Sequence, residues 1–235
     1  QTSKETKVAV IVSAFAKTTD KLLAGAKVAL EDITDAKEIL ESIKTLHFQI
    51  IDDLISANKK EVSEEITSLF ERLQSIYEGV FLLQELSDKT LAKVSSFGER
   101  FSSFIIANAA KEIYDAAHGE SRDLIITNDD YLNAQVNFKL TNTNINSFFD
   151  KNKHQVVVLG GFISANLDGE TTTLGRGGSD YSASIYAADL NADELQIWTD
   201  VSGMYTANPR VVKQAYPISE ISYEEAMELS HFGAK

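Results

Sequence analysis

The chain has 235 residues, a formal net charge of −13 and no cysteine. Without cysteine it can form neither a disulfide nor a thiolate metal site. So acidic a surface repels nucleic acid and anionic lipid, which excludes both as expected partners. No apolar run approaches the ~20 residues that span a bilayer, and no signal segment opens the sequence. We therefore expect a cytoplasmic protein.

The first half of the sequence predicts one strand followed by helices. Lys7–Phe15 is a continuous run rich in β-branched residues, which predicts a parallel strand buried on both faces. Apolar residues then recur at helical spacing from Lys21 to about Ala117. Start signals within this region place one helix at Ser63 and another at Ser87 or Asp88.

The second half predicts further strands that alternate with helices. Short strands are expected at Asp123–Thr127 and His154–Phe162, and a hairpin or extended arm at Gly169–Gly175. A strand and turn are expected in Glu194–Tyr205, and a capped helix from Ser222 to the end of the sequence. Strands that alternate with helices indicate an α/β fold with a mainly parallel sheet.

Polar or glycine-rich turns follow three of the predicted strands. They contain Ser13 to Thr19, then Gly160 and Gly161, and finally Thr199 and Asp200. If all three strands are parallel, these turns meet at one edge of the sheet, where ligands bind in open α/β folds.

The segment Gly175–Gly178 places one arginine, Arg176, among three glycines directly before a predicted helix. Glycines let backbone N–H groups approach an anion closely, and the helix N-terminus favours that anion. Taken singly, each feature has a plainer explanation: the glycines as a flexible turn, and Glu99 among phenylalanines as a water-exposed helix edge. Their shared position at one predicted sheet edge favours a binding site. The familiar phosphate-loop, dinucleotide, protein-kinase, hydrolase and zinc-helix motifs are absent from the sequence.

An ordered series of motifs from Val12 to Lys235 resembles the kinase domain of aspartokinases, within the amino-acid kinase superfamily. The motifs are VSAFAKTTDKL, SFGERFSS, GFISANLDGETTTLGRGGSDYSA, IWTDVSGMYTANPR and SYEEAMELSHFGAK. The resemblance implies a three-layer αβα sandwich, incomplete at both ends. It also implies one domain over 1–235, with a helical substrate side at about 21–117 and a nucleotide side at about 155–235. The last motif is most similar to bifunctional aspartokinase–homoserine dehydrogenases.

The implied activity is transfer of the ATP γ-phosphate to the β-carboxylate of L-aspartate, the first step towards lysine, threonine and methionine. By resemblance, Arg176 pairs with the substrate α-carboxylate and Glu99 with its α-ammonium. The implied substrate-binding set is Ser13, Thr19, Glu99, Phe162, Arg176, Gly177 and Ser179. The implied ATP-binding set is Gly160, Gly161, Thr199, Asp200, Tyr205, Arg210 and Lys235. Asp180 and Lys235 are the implied catalytic residues, and Mg²⁺ bridges the phosphates.

Two departures from the family leave alternatives open. The family's opening K-F-G-G-T-S motif is missing, and the sequence stops at Lys235, where the family continues. We therefore expect a piece of a longer, homo-oligomeric enzyme, weakly active or inactive by itself. The alternatives are another amino-acid kinase, acting on glutamate, acetylglutamate or a nucleotide, and a non-catalytic ligand-binding fragment. Glu99 together with Arg176 favours a free α-amino acid as substrate.

Overall fold

The computed structural model describes residues 6–199 and 203–231, with the side chains of Ser230 and His231 left out. The chain divides into two compact units, Gln1–Leu195 and Gln196–Lys235. None of the helices in the described ranges combines the length and hydropathy that a bilayer crossing requires.

The first unit is built on a three-stranded parallel sheet in the order β1-β3-β2. The strands are β1 (Val8–Val12), β2 (Ala116–Gly119) and β3 (Val156–Gly160). Strand β3 is buried on both faces, as a central parallel strand should be. The prediction that the first strand is buried on both faces is wrong, since β1 is only half-buried. In the described sheet β1 is an edge strand, so fewer neighbours cover it.

Helices fill the region between β1 and β2, as predicted. They are α1 (Thr18–Val28), α2 (Ile33–Leu54), α3 (Lys59–Leu83) and α4 (Asp88–Lys111). The predicted start of α4 is confirmed, because the Ser87 side chain caps the helix by accepting the Thr90 N–H. The predicted start at Ser63 is wrong: Asn58 precedes the helix, and its apolar face already begins at Val62. The helical region also ends before Ala117, which belongs to β2.

These four helices share one apolar core, built from residues spaced at helical intervals. Tyr77 lies fully buried within it and donates its hydroxyl to the carbonyl oxygen of Leu22 at 2.7 Å. His47 is also fully buried and lies edge-on to the rings of Phe15, Phe70 and Phe101. Burial lowers the pKa of His47, so the ring stays neutral at physiological pH.

A second layer of helices covers the other face of the sheet. It contains α5 (Ser121–Leu124), α6 (Phe138–Lys151) and α7 (Gly178–Asp189), and between α6 and α7 the strands β4 (Ile163–Ala165) and β5 (Thr171–Thr173) form an antiparallel hairpin. Val157 and Leu159 of β3 pack with Ile145 of α6 and Ile185 of α7. Helix α4 packs on the sheet from the other side. The predicted three-layer αβα arrangement is confirmed. Of the two alternatives for Gly169–Gly175, that segment supplies the second strand of a hairpin, whose first strand, β4, lies before it.

Two strand predictions are wrong. Asp123–Thr127 was expected to be a strand, but Ser121–Leu124 is a short helix. The Glu120 side chain caps the start of this helix by accepting the Arg122 N–H. Within Asp123–Thr127, Ile126 and Thr127 each form an isolated bridge. In Glu194–Tyr205, residues 194–199 belong to no strand, because an apolar run forms a strand only where it joins a sheet.

The second unit contains an isolated bridge between Tyr205 and Pro217 and the helix α8 (Tyr223–His231). The predicted cap of this helix is confirmed. Glu225 donates its N–H to Ser222 Oγ at 3.2 Å, and its carboxylate accepts the Ser222 N–H at 3.0 Å. This reciprocal pair is a capping box.

Candidate functional site

The carboxyl ends of β1 and β3 lie side by side. Val12 is the parallel partner of Gly160, and the Gly161 N–H donates to the Val12 carbonyl at 2.8 Å. The first two predicted turns therefore share one edge of the sheet, as expected. The third expected turn is not tested by this sheet, because Thr199 belongs to the second unit and Asp200 lies outside the described residues.

Helix α4 brings a buried carboxylate, Glu99, to this edge. Glu99 is 4% exposed, so it does not lie on a water-exposed helix edge. Its Oε1 accepts the Ala14 N–H at 3.2 Å, while Oε2 has no partner among the described residues. Burial raises the pKa of Glu99 to about 7. A buried carboxylate with a free oxygen is costly by itself and suits a cationic ligand group.

Close backbone contacts bring three segments together around Glu99. A Cβ at Gly98 of α4 would lie 2.7 Å from Ala14 Cβ and 3.2 Å from Thr19 Oγ1. A Cβ at Gly161 would lie 2.8 Å from Ser179 Cα, at the start of α7. These positions need glycine because any side chain would separate the segments.

The Arg176 loop enters α7 through two left-handed glycines, Gly175 with φ 72° and Gly177 with φ 74°. No side chain caps the start of α7. The Gly178 N–H donates to the Gly175 carbonyl at 3.0 Å, and the positive dipole end of the helix still faces the loop. Arg176 is exposed, and no described residue accepts a hydrogen bond from its guanidinium. Asp180 is also exposed, in the first turn of the helix.

Phe162 forms a strained turn directly after β3. Its φ is 64°, an unusual value for an aromatic residue. The Ile163 N–H donates to the Gly161 carbonyl at 2.6 Å across it, which makes a three-residue γ-turn. The turn presents the Phe162 side chain at the edge where β3 ends.

These segments enclose a cleft of about 360 Å³ in the first unit. It is lined by Ser13, Ala14, Thr19, Glu99, Phe162, Gly175, Gly177, Gly178, Ser179 and Asp180. Arg176 lies between two of the lining glycines, and Gly160 and Gly161 end the adjoining strand. Of the remaining predicted residues, Thr199, Tyr205 and Arg210 belong to the second unit, and Asp200 and Lys235 lie outside the described residues.

The cleft combines features that attract opposite charges. Two uncapped helix N-termini, those of α1 and α7, and the free guanidinium of Arg176 favour an anionic group. The unpartnered Oε2 of Glu99 favours a cationic one. A small zwitterion matches both.

Sequence reasoning missed two contributors to this site, the Ala14 N–H and Ser182, and it named Gly178 only as one of the glycines around Arg176. Ala14 contributes through its backbone, which carries no residue-specific signal. Gly178 lies against Phe162, where a Cβ would be 2.8 Å from Cδ2. Ser182 lies on the buried face of α7 with Ile185 and Tyr186. A serine that shares an apolar helix face with residues at i+3 and i+4 is a sequence pattern that could have identified Ser182.

Known proteins similar to this chain are kinases. A bifunctional aspartokinase/homoserine dehydrogenase of Buchnera aphidicola is 35% identical over 97% of this chain and 28% of its own length. Lysine-sensitive aspartokinase 3 of Escherichia coli is 35% identical over 96% of this chain and 49% of its own length. The chain thus spans about half, or less, of these relatives.

A solved structure of E. coli aspartokinase III in complex with aspartate and ADP superimposes with a TM-score of 0.88. It is 33% identical and covers 96% of this chain, which spans 50% of that protein. The sequence model of the amino acid kinase family matches residues 1–235. Because this family model covers the whole sequence, the chain belongs to the amino acid kinase family.

Proposed function

We propose that this chain is the kinase part of an aspartokinase, which transfers the γ-phosphoryl group of ATP to the β-carboxylate of L-aspartate. The observation that carries the proposal is the pairing, in one small cleft, of buried Glu99 with the Arg176 loop. This pairing suits a free α-amino acid. An N-acetylated substrate has no ammonium group to neutralise Glu99.

In the proposed complex, Arg176 makes a bidentate pair with the α-carboxylate, and Glu99 accepts hydrogen bonds from the α-ammonium. Thr19 and Ser179 donate hydroxyl hydrogen bonds, and Phe162 forms an apolar wall. Ser13 and Gly177 complete the substrate side. Ligand binding would give the Oε2 atom of Glu99 the partner that it lacks. The same binding would stabilise the ionised form of Glu99.

The chemical step needs orientation more than acid–base help. An oxygen of the substrate β-carboxylate bonds to the γ-phosphorus as the bond to the bridging oxygen breaks, which yields 4-phospho-L-aspartate and ADP. The attacking carboxylate is already ionised near pH 7, so no base is required. The protein holds the groups in line and offsets the charge on the transferred group. Asp180 is proposed to organise cationic side chains there.

The nucleotide side is proposed from the family resemblance. We assign ATP binding to Gly160, Gly161, Thr199, Asp200, Tyr205, Arg210 and Lys235, and a catalytic role to Lys235 as well. No described group of three acidic or histidine side chains forms a metal site. Mg²⁺ is proposed to arrive with the nucleotide. Mg²⁺ supplies positive charge against the phosphates.

The remaining proposals concern the whole protein. They are a single kinase domain over 1–235 with substrate and nucleotide sides, a homo-oligomer, a cytoplasmic location and a place at the head of lysine, threonine and methionine synthesis. Fusion to a homoserine dehydrogenase, as in the Buchnera relative, belongs with them.

The test is phosphoryl transfer by the full-length protein that carries this sequence. ATP, Mg²⁺ and either L-aspartate, L-glutamate or N-acetyl-L-glutamate are supplied, and hydroxylamine traps the acyl phosphate. We expect turnover with L-aspartate and, for Arg176→Ala, a loss of about 10- to 100-fold in kcat/KM through a raised KM, the value of a charged hydrogen bond to the α-carboxylate. Arg72→Ala is the matched control, since Arg72 is exposed on α3.

Two results would overturn the proposal. Turnover with N-acetyl-L-glutamate but not L-aspartate would assign another amino-acid kinase. A folded protein that binds ATP and phosphorylates none of these acids would favour the non-catalytic alternative.

A further inference from the structure

We propose that Ser182 is a positioning residue, which holds the strained Phe162 turn against the start of α7 and so sets the width of the substrate cleft. The proposal rests on the function proposed above, which assigns the cleft as the binding site for L-aspartate. Ser182 is itself fully buried and does not line the cleft.

The hydroxyl of Ser182 bridges the two walls of the cleft. It accepts the Phe162 N–H at 2.9 Å and donates to the Gly178 carbonyl at 2.7 Å. Phe162 belongs to the wall that follows β3, and Gly178 begins the helix that carries Ser179 and Asp180. One buried hydroxyl thus ties both walls together with a donor and an acceptor bond.

The Phe162 turn needs such a tie because its backbone is strained. A non-glycine residue at φ 64° persists only where its surroundings hold it. The Phe162 carbonyl is held by the Leu174 N–H at 2.9 Å, and its N–H is held by Ser182. Without the hydroxyl, only one of the two backbone groups of Phe162 keeps its partner.

Packing leaves little room for the two walls to adjust independently. A Cβ at Gly178 would lie 2.8 Å from Phe162 Cδ2, and one at Gly161 would lie 2.8 Å from Ser179 Cα. A shift of the Phe162 turn therefore changes the distance from the aromatic wall to Ser179 and the Arg176 loop. Misplacement by about 1 Å is enough to cost on the order of 10²-fold in rate.

The same helix offers a matched control. Ser184 donates its hydroxyl to the Asp180 carbonyl at 2.9 Å, the same i to i−4 bond that Ser182 makes to Gly178. Ser184 is exposed and makes no bond to the Phe162 turn. Ser184→Ala removes the bond along the helix, whereas Ser182→Ala removes that bond and the tie to Phe162.

The experiment measures steady-state kinetics and hydrogen exchange in the full-length protein. We expect Ser182→Ala to raise the KM for L-aspartate and to lower kcat/KM by about 10- to 100-fold, a range bounded above by the rate cost of a 1 Å misplacement. The KM for ATP should change by less than about threefold, and the peptide that contains Phe162 should exchange its amides faster. Ser184→Ala should leave all three unchanged. Ser182→Thr, which keeps a hydroxyl able to bond the i−4 carbonyl, should restore most of the aspartate affinity.

Each outcome decides the proposal. An unchanged KM for aspartate in Ser182→Ala, or an equal effect of Ser184→Ala, would overturn it. If the unmodified protein does not act on aspartate, the proposed function fails, and amide exchange decides instead. Faster exchange around Phe162 in Ser182→Ala alone supports the tie, and unchanged exchange overturns it. Ser182→Cys, similar in size but a weak hydrogen-bond partner, replaces the alanine variant if that variant does not fold.

Discussion

The helices α1–α4 and the sheet edge that carries the cleft fill their interiors in different ways. The helical region buries large apolar side chains such as Leu73, Ile43 and Phe101. The cleft edge buries hydroxyls, glycines and a carboxylate, among them Ser182, Gly161 and Glu99. Packing of apolar side chains stabilises the helical interior, whereas hydrogen bonds and close backbone contacts stabilise the cleft edge. We therefore expect stability and ligand binding to respond to different substitutions.

Leu73→Ala tests the helical side of this comparison, with the largest expected effect on stability. Leu73 is fully buried in α3, so the variant loses apolar contacts and leaves a cavity. We expect the free energy of unfolding to fall by about 2–5 kcal/mol, with the KM for aspartate within about twofold. Urea denaturation and steady-state kinetics measure both. A large rise in KM would show that the two regions are not separable.

Glu99→Gln tests whether the buried carboxylate at the cleft edge lowers the free energy of unfolding of the ligand-free protein. The folded-state pKa of about 7 exceeds the unfolded value of 4.5. Folded Glu99 therefore keeps its proton longer than the unfolded chain, and the free energy of unfolding falls as pH rises from about 4.5 to about 7. At pH 8 this cost amounts to about 3 kcal/mol. The glutamine variant lacks it.

We therefore expect ligand-free Glu99→Gln to be more stable than the parent at pH 8 by about 2–3 kcal/mol. The difference should shrink to below about 1 kcal/mol at pH 5. Urea titrations of both proteins at the two pH values measure it. A glutamine variant that is less stable at pH 8 would show that Glu99 is not a buried, poorly compensated charge.

Gly161→Ala tests the close backbone contact at the cleft edge. The added methyl would meet Ser179 Cα at 2.8 Å and push β3 from α7. We expect aspartate affinity to fall by on the order of 10²-fold. Gly79→Ala is the control, because Gly79 lies within α3 with open space around it. That variant should be more stable by about 0.4–1 kcal/mol. Calorimetric binding and thermal unfolding separate the two outcomes.

Lys89→Met has the smallest expected effect. Lys89 forms an ion pair with Glu170 at the surface, where both solvent screening and side-chain entropy weaken it. Glu170 also accepts the Tyr131 hydroxyl at 2.6 Å and so keeps a partner. We expect less than about 0.5 kcal/mol of lost stability and unchanged aspartate affinity. A loss above 2 kcal/mol would show that polar contacts outside the cleft also hold this region.

Sequence patterns predict the two regions unequally. Apolar periodicity identified the long helices, and the Ser87 cap located the start of α4. Apolar periodicity did not identify α6, whose threonines and asparagines are poor helix formers. Packing of Ile145 and Phe148 against the sheet stabilises that helix. Tertiary contacts of this kind have no local signature in the sequence.

The cleft was predictable only in part. The expected parallel arrangement of the strands placed Ser13 and Gly160 at one edge, and the glycines around Arg176 indicated an anion site. Periodicity carries no information on which backbone atoms meet. The hydrogen bond from the Ala14 N–H to Glu99 joins residues 85 positions apart. The bond from the Phe162 N–H to Ser182 joins residues 20 positions apart. Both pairs meet only once the chain has folded.

In the proposed complex, Glu99 recognises the α-ammonium of the amino-acid substrate. Calorimetry of the parent protein and of Glu99→Gln, with L-aspartate and with succinate, which lacks only the amine, tests this recognition. We expect the parent to prefer aspartate by about 10- to 100-fold, the value of a charged hydrogen bond. The variant should bind both acids within about threefold of each other, since the amine then lacks its charged partner. A full preference for aspartate in Glu99→Gln would contradict the account.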